Sequence, residues 1–483
     1  MQIKICVCQK KAVLLQSQKS QYRMNLFTTI LLAVTMLTEH PITGQSNMSV
    51  LIQNTRTGEV IDSYRPDHVV PPASVMKLLT TGAALELLGG GYRFKTTLEY
   101  SAPIENGVLQ GDLYINGGCD PSLGRSGRTG FLDQWVKAIK DAGITSIEGA
   151  IIADMTLLDG DAVNPSWLCE DAGNYYAPGI FSINYYNNTM NIVLQSGEAG
   201  TTATVLKTEP QVDGIVFINR IRCAKINYDG AFVHGMPYSR ERYLSGSVPS
   251  DKGTFGLKGD LPNPGLLLAQ HFTARLREAG VKVNRDAGYI ADYNELAPAR
   301  TVLYTHRSMS LREIIKETNL NSNNLFAEAL FRFLGTRYSK PGTIANSQSV
   351  IRDFWRRKGI DMGSAIIKDG CGLAPQNAVS AKTFVQLLNY MAASKNAEAW
   401  MASLPVSGTS GTIKNLCQDT PLQGRIHAKS GTISGTKNFA GYIDLPNGDQ
   451  WVFAILISSA PGKARKIQTV IQDYLLDVYQ SHQ

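Results

Sequence analysis

The sequence predicts a mixed α/β fold of the α+β kind, in which one antiparallel sheet with its helices is built from both ends of the chain and a large β-rich block interrupts it. Three observations carry that expectation. Near the start, Ser49–Asn54 and Glu59–Tyr64 flank Thr55-Arg56-Thr57-Gly58 and read as a β-hairpin. Toward the end, Trp451–Ile457 is an unbroken apolar run of strand length, and Arg465–Tyr479 sets Ile467, Val470, Ile471, Leu475 and Val478 on one helical face. Between about Tyr92 and Arg300, short alternating segments dominate, with helix patterns only at Phe131–Ala142 and Gly265–Ala279. A sheet sharing strands from the two ends brings the termini together and lets the middle leave as an insertion.

The first 44 residues read as a leader. Basic residues precede the apolar run Leu26–Leu37, which is short for a membrane span and suits a signal peptide, so the expected location is the periplasm. No cysteine follows the run closely, so a lipoprotein is not indicated. The leader also accounts for much of the formal charge of +7: it holds five basic residues against Glu39 alone, which leaves +3 for the rest. With no basic helix interleaved with aromatics, no zinc spacing and no glycine-rich phosphate loop, neither nucleic acid nor a metal or other cofactor is expected. At 483 residues, 43% hydrophobic and 18% charged, the chain is long and apolar enough for several buried cores.

After the hairpin, Pro71-Pro72-Ala73 is a helix-start signal, and Val75, Leu78, Leu79, Ala83, Leu87 and Leu88 follow the spacing of one buried helical stripe until Gly89-Gly90-Gly91 ends it. On that helix Ser74 and Lys77 lie one turn apart on a shared face, at the end where the helix dipole is positive. A hydroxyl with an amine in reach is how a serine becomes nucleophilic without a histidine. Ser322-Asn323-Asn324 lies between two helix-patterned segments, and Ala428-Lys429-Ser430-Gly431-Thr432 lies in a stretch that reads as strand, short turn and strand. Each piece alone is commonplace.

In this order, Ser-x-x-Lys, Ser-x-Asn and Lys-Ser-Gly resemble the three-part signature of penicillin-binding proteins and serine β-lactamases. Ser74 and Ser322 are 248 positions apart, whereas Ser322 and Lys429 are 107 apart, so a large block sits inside the catalytic domain. That arrangement is similar to the class C low-molecular-mass penicillin-binding proteins, the D-alanyl-D-alanine carboxypeptidase/endopeptidase family. Further landmarks are Leu87-Leu88-Gly89 with Tyr92-Arg93-Phe94, Asn106–Leu113, Gly118–Leu123, Asp369-Gly370-Cys371-Gly372-Leu373 and Leu404-Pro405. The organisation then expected is a leader at 1–44, a catalytic body from 45–91 and 301–483, an accessory domain from 92–183 and 244–300, and a second accessory module at 184–243.

The resemblance implies peptidoglycan stem peptides as substrates and β-lactams as acylating inhibitors. It assigns Ser74 as nucleophile, Lys77 as its base, Ser322 as proton relay, Asn324 as orienter and Lys429 as a positive field. Ser430, Gly431 and Thr432 form the substrate-binding strand, the hydroxyls of Ser430 and Thr432 taking the terminal carboxylate, with the backbone N–H groups of Ser74 and Thr432 as the oxyanion hole. Asp171, in Trp167-Leu168-Cys169-Glu170-Asp171, is expected near a substrate amine. Two departures bear on specificity: Cys169 stands where the family often has a second tryptophan, and Pro375 stands where some members carry an arginine. Carboxypeptidase and endopeptidase activity both remain open here, as do the third stem-peptide residue and the oligomeric state. A β-lactamase and a non-catalytic wall-binding or β-lactam-sensing protein are the rival readings.

Seven cysteines include Cys6 and Cys8 in the leader; the remaining five, Cys119, Cys169, Cys223, Cys371 and Cys417, are an odd number and lack metal-ligand spacing. Cys371 has no histidine in a comparable setting, so it is not expected as a nucleophile. His427, beside the third motif, reads as a strand residue near the cleft rather than a base.

Overall fold

In the computed structural model, which describes residues 33–293, 298–338 and 340–482, the two ends of the chain meet in one five-stranded sheet. Its order is Val60–Tyr64, Asn47–Asn54, Gln450–Ser458, Thr436–Asp444 and Ile426–Ile433, with every neighbour antiparallel. Successive side chains of a strand point to opposite faces, so an apolar run without polar breaks implies a sheet covered on both sides. Gln450–Ser458 behaves this way: Phe453, Ile455 and Ile457 enter one core with the terminal helix Ala464–Ser481, while Val452, Ala454 and Leu456 enter the other. That second core is formed by Lys77–Leu88, Leu311–Asn321, Asn324–Gly335, Ile344–Arg357 and Ala381–Ala392.

The intervening block has its own core, spanning Leu98 to Val283. One part is a five-stranded sheet of Gly288–Ile290, Ile151–Asp154, Leu113–Asn116, Lys95–Tyr100 and Thr301–Arg307, packed under the helices Phe131–Asp141 and Pro264–Glu278. The other part holds Thr204–Glu209, Thr189–Ser196 and Gly253–Asp260 in one sheet, and Val216–Asn219, Glu241–Pro249, Arg222–Ala224 and Gly230–His234 in a second. Alternating strands therefore fill the middle of the chain, as the pattern implied.

Two expectations need correcting. Strand Glu241–Pro249 runs through the division expected at residue 243, and Thr301–Arg307 pairs with Lys95–Tyr100, so the inserted sheet continues past residue 300. Strand partners are set by tertiary pairing that alternation does not encode. Within the expected leader, residues 33–38 are helical, Ala33 and Leu37 are buried in the core beside the terminal helix, and Thr43 Oγ1 donates to the Leu37 carbonyl at 2.6 Å. A short apolar run looks alike whether it enters a translocation channel or docks on a protein core. The first 32 residues lie outside the described residues.

Candidate active site

The nucleophile turn forms where the chain enters the first long helix. Residues Ala73–Met76 make a 3₁₀ turn that passes into the α-helix Lys77–Leu88, and Gly89 closes the helix with φ 82°. A 3₁₀ turn has three residues per turn, so Ser74 and Lys77 align more closely than on the expected α-helix. Ala73 holds a left-handed φ of 47°, a conformation that costs an L-residue energy and is enriched at functional sites. Two glycines explain how close the neighbours come. A Cβ on Gly372, whose φ is 85°, would lie 1.8 Å from the Ala73 carbonyl oxygen, and one on Gly431 would lie 2.6 Å from that of Pro72.

Lys77 is fully buried and its Nζ reaches three oxygens: Ser74 Oγ at 2.9 Å, Asn324 Oδ1 at 2.6 Å and the Cys371 carbonyl at 2.7 Å. Asn324 is oriented by its own Nδ2, which donates to the Tyr176 carbonyl at 2.7 Å. Both Asn324 Oδ1 and the carbonyl can only accept, so they can take two N–H groups of a neutral amine, and its lone pair then faces the one group able to donate, the Ser74 hydroxyl. Burial lowers the proton affinity of Lys77 below that of an ordinary lysine, while the nearby Cys371, Asp369 and Glu328 act the other way.

The second motif caps a helix junction. Ser322 adopts φ 56° at the end of Leu311–Asn321, and Asn323 caps Asn324–Gly335 by accepting from Phe326 N at 3.1 Å. The junction thus turns Ser322 and Asn324 toward the nucleophile turn. On strand Ile426–Ile433, Lys429 is fully buried and donates to Ser322 Oγ at 2.9 Å and to the Ser430 carbonyl at 2.6 Å. Burial, with Lys77 and Lys437 beside it, pushes Lys429 well below the usual lysine range. Ser430 Oγ donates to Thr412 Oγ1 at 2.8 Å, and Lys437 Nζ donates to the exposed Thr432 at 3.1 Å. Burial brings Lys437 down to about 8.

Ser74, Lys77 and Asn324 are thus linked by direct contacts, as are Lys429 and Ser322; the two sets are near enough for Lys77 to act electrostatically on Lys429, and Gly431 packs against the nucleophile turn. Asp171 is farther out: half-buried in the inserted block, it accepts from Tyr176 Oη at 2.9 Å, one residue removed from Asn324. Burial raises its proton affinity and the tyrosine bond lowers it. Pro375 lies in the turn after Asp369. His427 sits on the third-motif strand with Nε2 3.1 Å from Asp444 Oδ2.

Several contributors carry no local sequence signal. Asp369 accepts N–H bonds from Trp167 Nε1 (2.9 Å), Gly372 (2.8 Å), Leu373 (2.9 Å), Ala374 (2.7 Å) and Asn377 Nδ2 (2.8 Å), which shapes the turn that offers the Cys371 carbonyl to Lys77. Glu328 accepts from Gly370 N at 2.7 Å, and burial beside Asp369 pushes it up to about 8. Asp369, Glu328 and the Cys371 thiol lie within 4.8 Å of one another, a spacing a metal could use. Their hydrogen bonds to the surrounding backbone make them an anchor for this turn instead. Cys371 is buried with its thiol pushed well above the ordinary range, so it is not a thiolate. The landmarks Trp167 and Asp369–Leu373 could have been paired from sequence only as landmarks; Thr412, Tyr176, Glu328 and Lys437 could not.

Comparison with known proteins matches residues 32–476 to the family described as D-Ala-D-Ala carboxypeptidase 3 (S13). The chain is 29% identical over 471 residues to a D-alanyl-D-alanine carboxypeptidase of Actinomadura sp., covering 92% of this chain and 84% of that protein. It is 26% identical over 425 residues to the D-alanyl-D-alanine carboxypeptidase DacB of Haemophilus influenzae, covering 86% and 85%. Among solved structures, penicillin binding protein 4 of Haemophilus influenzae superposes with a TM-score of 0.79 at 24% identity, over 92% of this chain and 99% of that one.

Proposed function

The chain belongs to the D-Ala-D-Ala carboxypeptidase 3 (S13) family, a serine peptidase family, and from that premise we propose how its residues cleave a D-alanyl-D-alanine bond in peptidoglycan stem peptides. Lys77 takes the proton of Ser74 as Ser74 Oγ attacks the D-alanyl carbonyl. The oxyanion is held by the Ser74 and Thr432 backbone N–H groups, each such donor being worth about 10² to 10³ in turnover. As the C–N bond breaks, Ser322 passes its hydroxyl proton to the departing D-alanine amine and is reprotonated from Lys77, so the proton taken from Ser74 ends on the leaving group and Lys77 is neutral again; Lys429, donating to Ser322 Oγ, holds that hydroxyl for the relay. The acyl-enzyme on Ser74 is then hydrolysed by water, so one difficult amide cleavage becomes two easier steps.

The contact set of Lys77 carries this reading: two acceptor-only partners fix its N–H groups and leave its lone pair to Ser74. Lys429 is the second buried amine of the site and supplies the positive field. Burial and neighbouring amines disfavour its charge, whereas a substrate's terminal carboxylate drawn toward Ser430 and Thr432 favours it. Its positive field is therefore strongest with the substrate's carboxylate in place. Export belongs to the same reading, because the substrate lies outside the cytoplasm. No helix among the described residues is long and apolar enough to cross a membrane.

Labelled penicillin tests the proposal. The expected outcome is a covalent adduct that peptide mapping assigns to Ser74. Label on another residue, or none on the folded protein, overturns the nucleophile assignment, and rapid turnover of the adduct points to a β-lactamase.

A further inference from the structure

The catalytic cleft continues into a groove whose far wall belongs to the inserted block. A cavity of about 280 Å³ is lined on one side by Ser322, Asn323 and Asn324 and on the other by Tyr175, Asn187 and Lys258. None of Lys429, Ser430, Gly431 or Thr432 lines it, so it leads away from the strand proposed to hold the terminal carboxylate. It therefore lies where the part of a peptide N-terminal to the scissile bond would run.

Three features of the far wall point to a ligand. Lys258, on strand Gly253–Asp260, is exposed and has no ion-pair partner among the described residues; its Nζ lies 6.0 Å from the Tyr175 ring centroid. Tyr175 is itself 54% exposed, an aromatic face left open beside the catalytic motif. Asn187 Oδ1 is buried without a hydrogen-bond partner among the described residues, an arrangement that costs free energy until a donor arrives. Asn187 is also the middle of three successive residues with left-handed φ, Tyr186 (59°), Asn187 (59°) and Asn188 (51°), and backbone strain of this kind gathers at ligand clamps.

We propose that this groove is an extended peptide subsite in which Lys258 receives a carboxylate carried N-terminal to the scissile bond, Tyr175 supports the adjoining chain and Asn187 Oδ1 accepts a backbone N–H. The proposal rests on the DD-peptidase reading and deepens it. Taken with Asp171, which shares Tyr176 with this edge of the cleft, it gives the inserted block a carboxylate for a substrate amine and an ammonium for a substrate carboxylate. Because Lys258 is exposed, its contribution is modest and screened by salt.

The test uses the full chain and two peptides that differ only in whether the carboxylate upstream of the scissile bond is free or amidated. In wild type the free-carboxylate peptide has the higher kcat/KM. Lys258→Gln is expected to shrink the ratio of the two kcat/KM values by about three- to tenfold, chiefly through KM, and Lys258→Glu by more. Asn187→Ala is expected to weaken both peptides alike. The Kd values of the same peptides for Ser74→Ala protein, with and without Lys258→Gln, give this readout independently of turnover. An unchanged ratio in both measurements overturns the subsite. Failure of penicillin to label Ser74 in the wild type would instead overturn the underlying DD-peptidase reading, and the binding ratio would still decide the groove.

Discussion

The molecule buries charge in two ways, and they do different work. In the inserted block Arg242 and Asp260 are 0% and 1% exposed and meet at 2.7 Å, while Arg242 Nη1 also donates to the carbonyls of Met236, Ser239 and Glu241. Opposite charges close on each other, and the pair ties strand Glu241–Pro249 to strand Gly253–Asp260 of another sheet. In the catalytic body Lys77 and Lys429 are just as buried, but no carboxylate closes on either: Lys77 disfavours the charge of Lys429, and the hydrogen-bond partners of both are neutral oxygens. A closed ion pair stabilises one arrangement. Amines buried against neutral acceptors are held ready to change protonation, which is what a proton-transferring site requires.

The largest expected effect breaks the catalytic side of this comparison. Lys77→Ala should slow acylation of Ser74 by about 10² to 10⁴, the usual worth of a general base. The base works only when neutral, so the wild-type acylation rate should rise with pH through the proton affinity of Lys77 and level off above it. Burial lowers that affinity, so the rise should fall below the range of an ordinary lysine, whose side chain titrates near 10.5. Stopped-flow acylation by a chromogenic penicillin across pH measures both, and a pH-independent rate would remove Lys77 from the role of base.

Breaking the structural side should cost stability and leave chemistry alone. Arg242→Met strands Asp260 as a buried, unpaired carboxylate, and removing one partner of a buried pair typically costs about 3 to 5 kcal/mol. Adding Asp260→Leu should recover much of that loss, because an apolar pair of similar volume needs no counter-charge. Denaturant unfolding of the two variants measures the difference. Penicillin acylation per folded molecule should match wild type in both, and a drop there would show that the inserted block transmits strain to the cleft.

How far the sequence could be read follows from the same physics. Ser74 and Lys77 were visible because one helical turn joins them, and the hairpin, late strands and terminal helix because alternation and helical spacing are local signals. Asp369 and Glu328, which shape the turn facing Lys77, act through contacts between segments far apart in the chain, such as Trp167 to Asp369. No spacing rule reaches that distance. For the same reason the division at residue 243 fell inside a strand and that at 300 inside a sheet, since pairing decides where a sheet ends. The packed helix at residues 33–38 was hidden by a different ambiguity, an apolar run that suits export and docking equally.

The smallest expected effect sharpens the comparison where the two regions meet. Asp171 belongs to the inserted block, yet its hydrogen-bond donor Tyr176 accepts from Asn324 Nδ2 through its own carbonyl. Unlike Asp260 it has no cation against it among the described residues, and unlike Glu328 it is half-exposed, so it can exchange partners with an arriving ammonium at little cost. A charge-assisted bond of that kind is worth about 1.5 to 3 kcal/mol, and the lower end applies after solvent screening. Asp171→Asn is therefore expected to lower kcat/KM by about tenfold for stem peptides with a free side-chain amine, or ~1.4 kcal/mol. Pro375 has no donor to compensate. Burial raises the proton affinity of Asp171, so wild-type preference for the amine should weaken as pH falls through a range somewhat above that of an ordinary aspartate, and the asparagine variant should lack this dependence. Steady-state kinetics on amine-bearing and amine-blocked peptides across mildly acidic pH reads both effects. Equal losses on the two peptides would make Asp171 a prop for Tyr176 and Asn324, and the amine would have to be recognised elsewhere in the cleft.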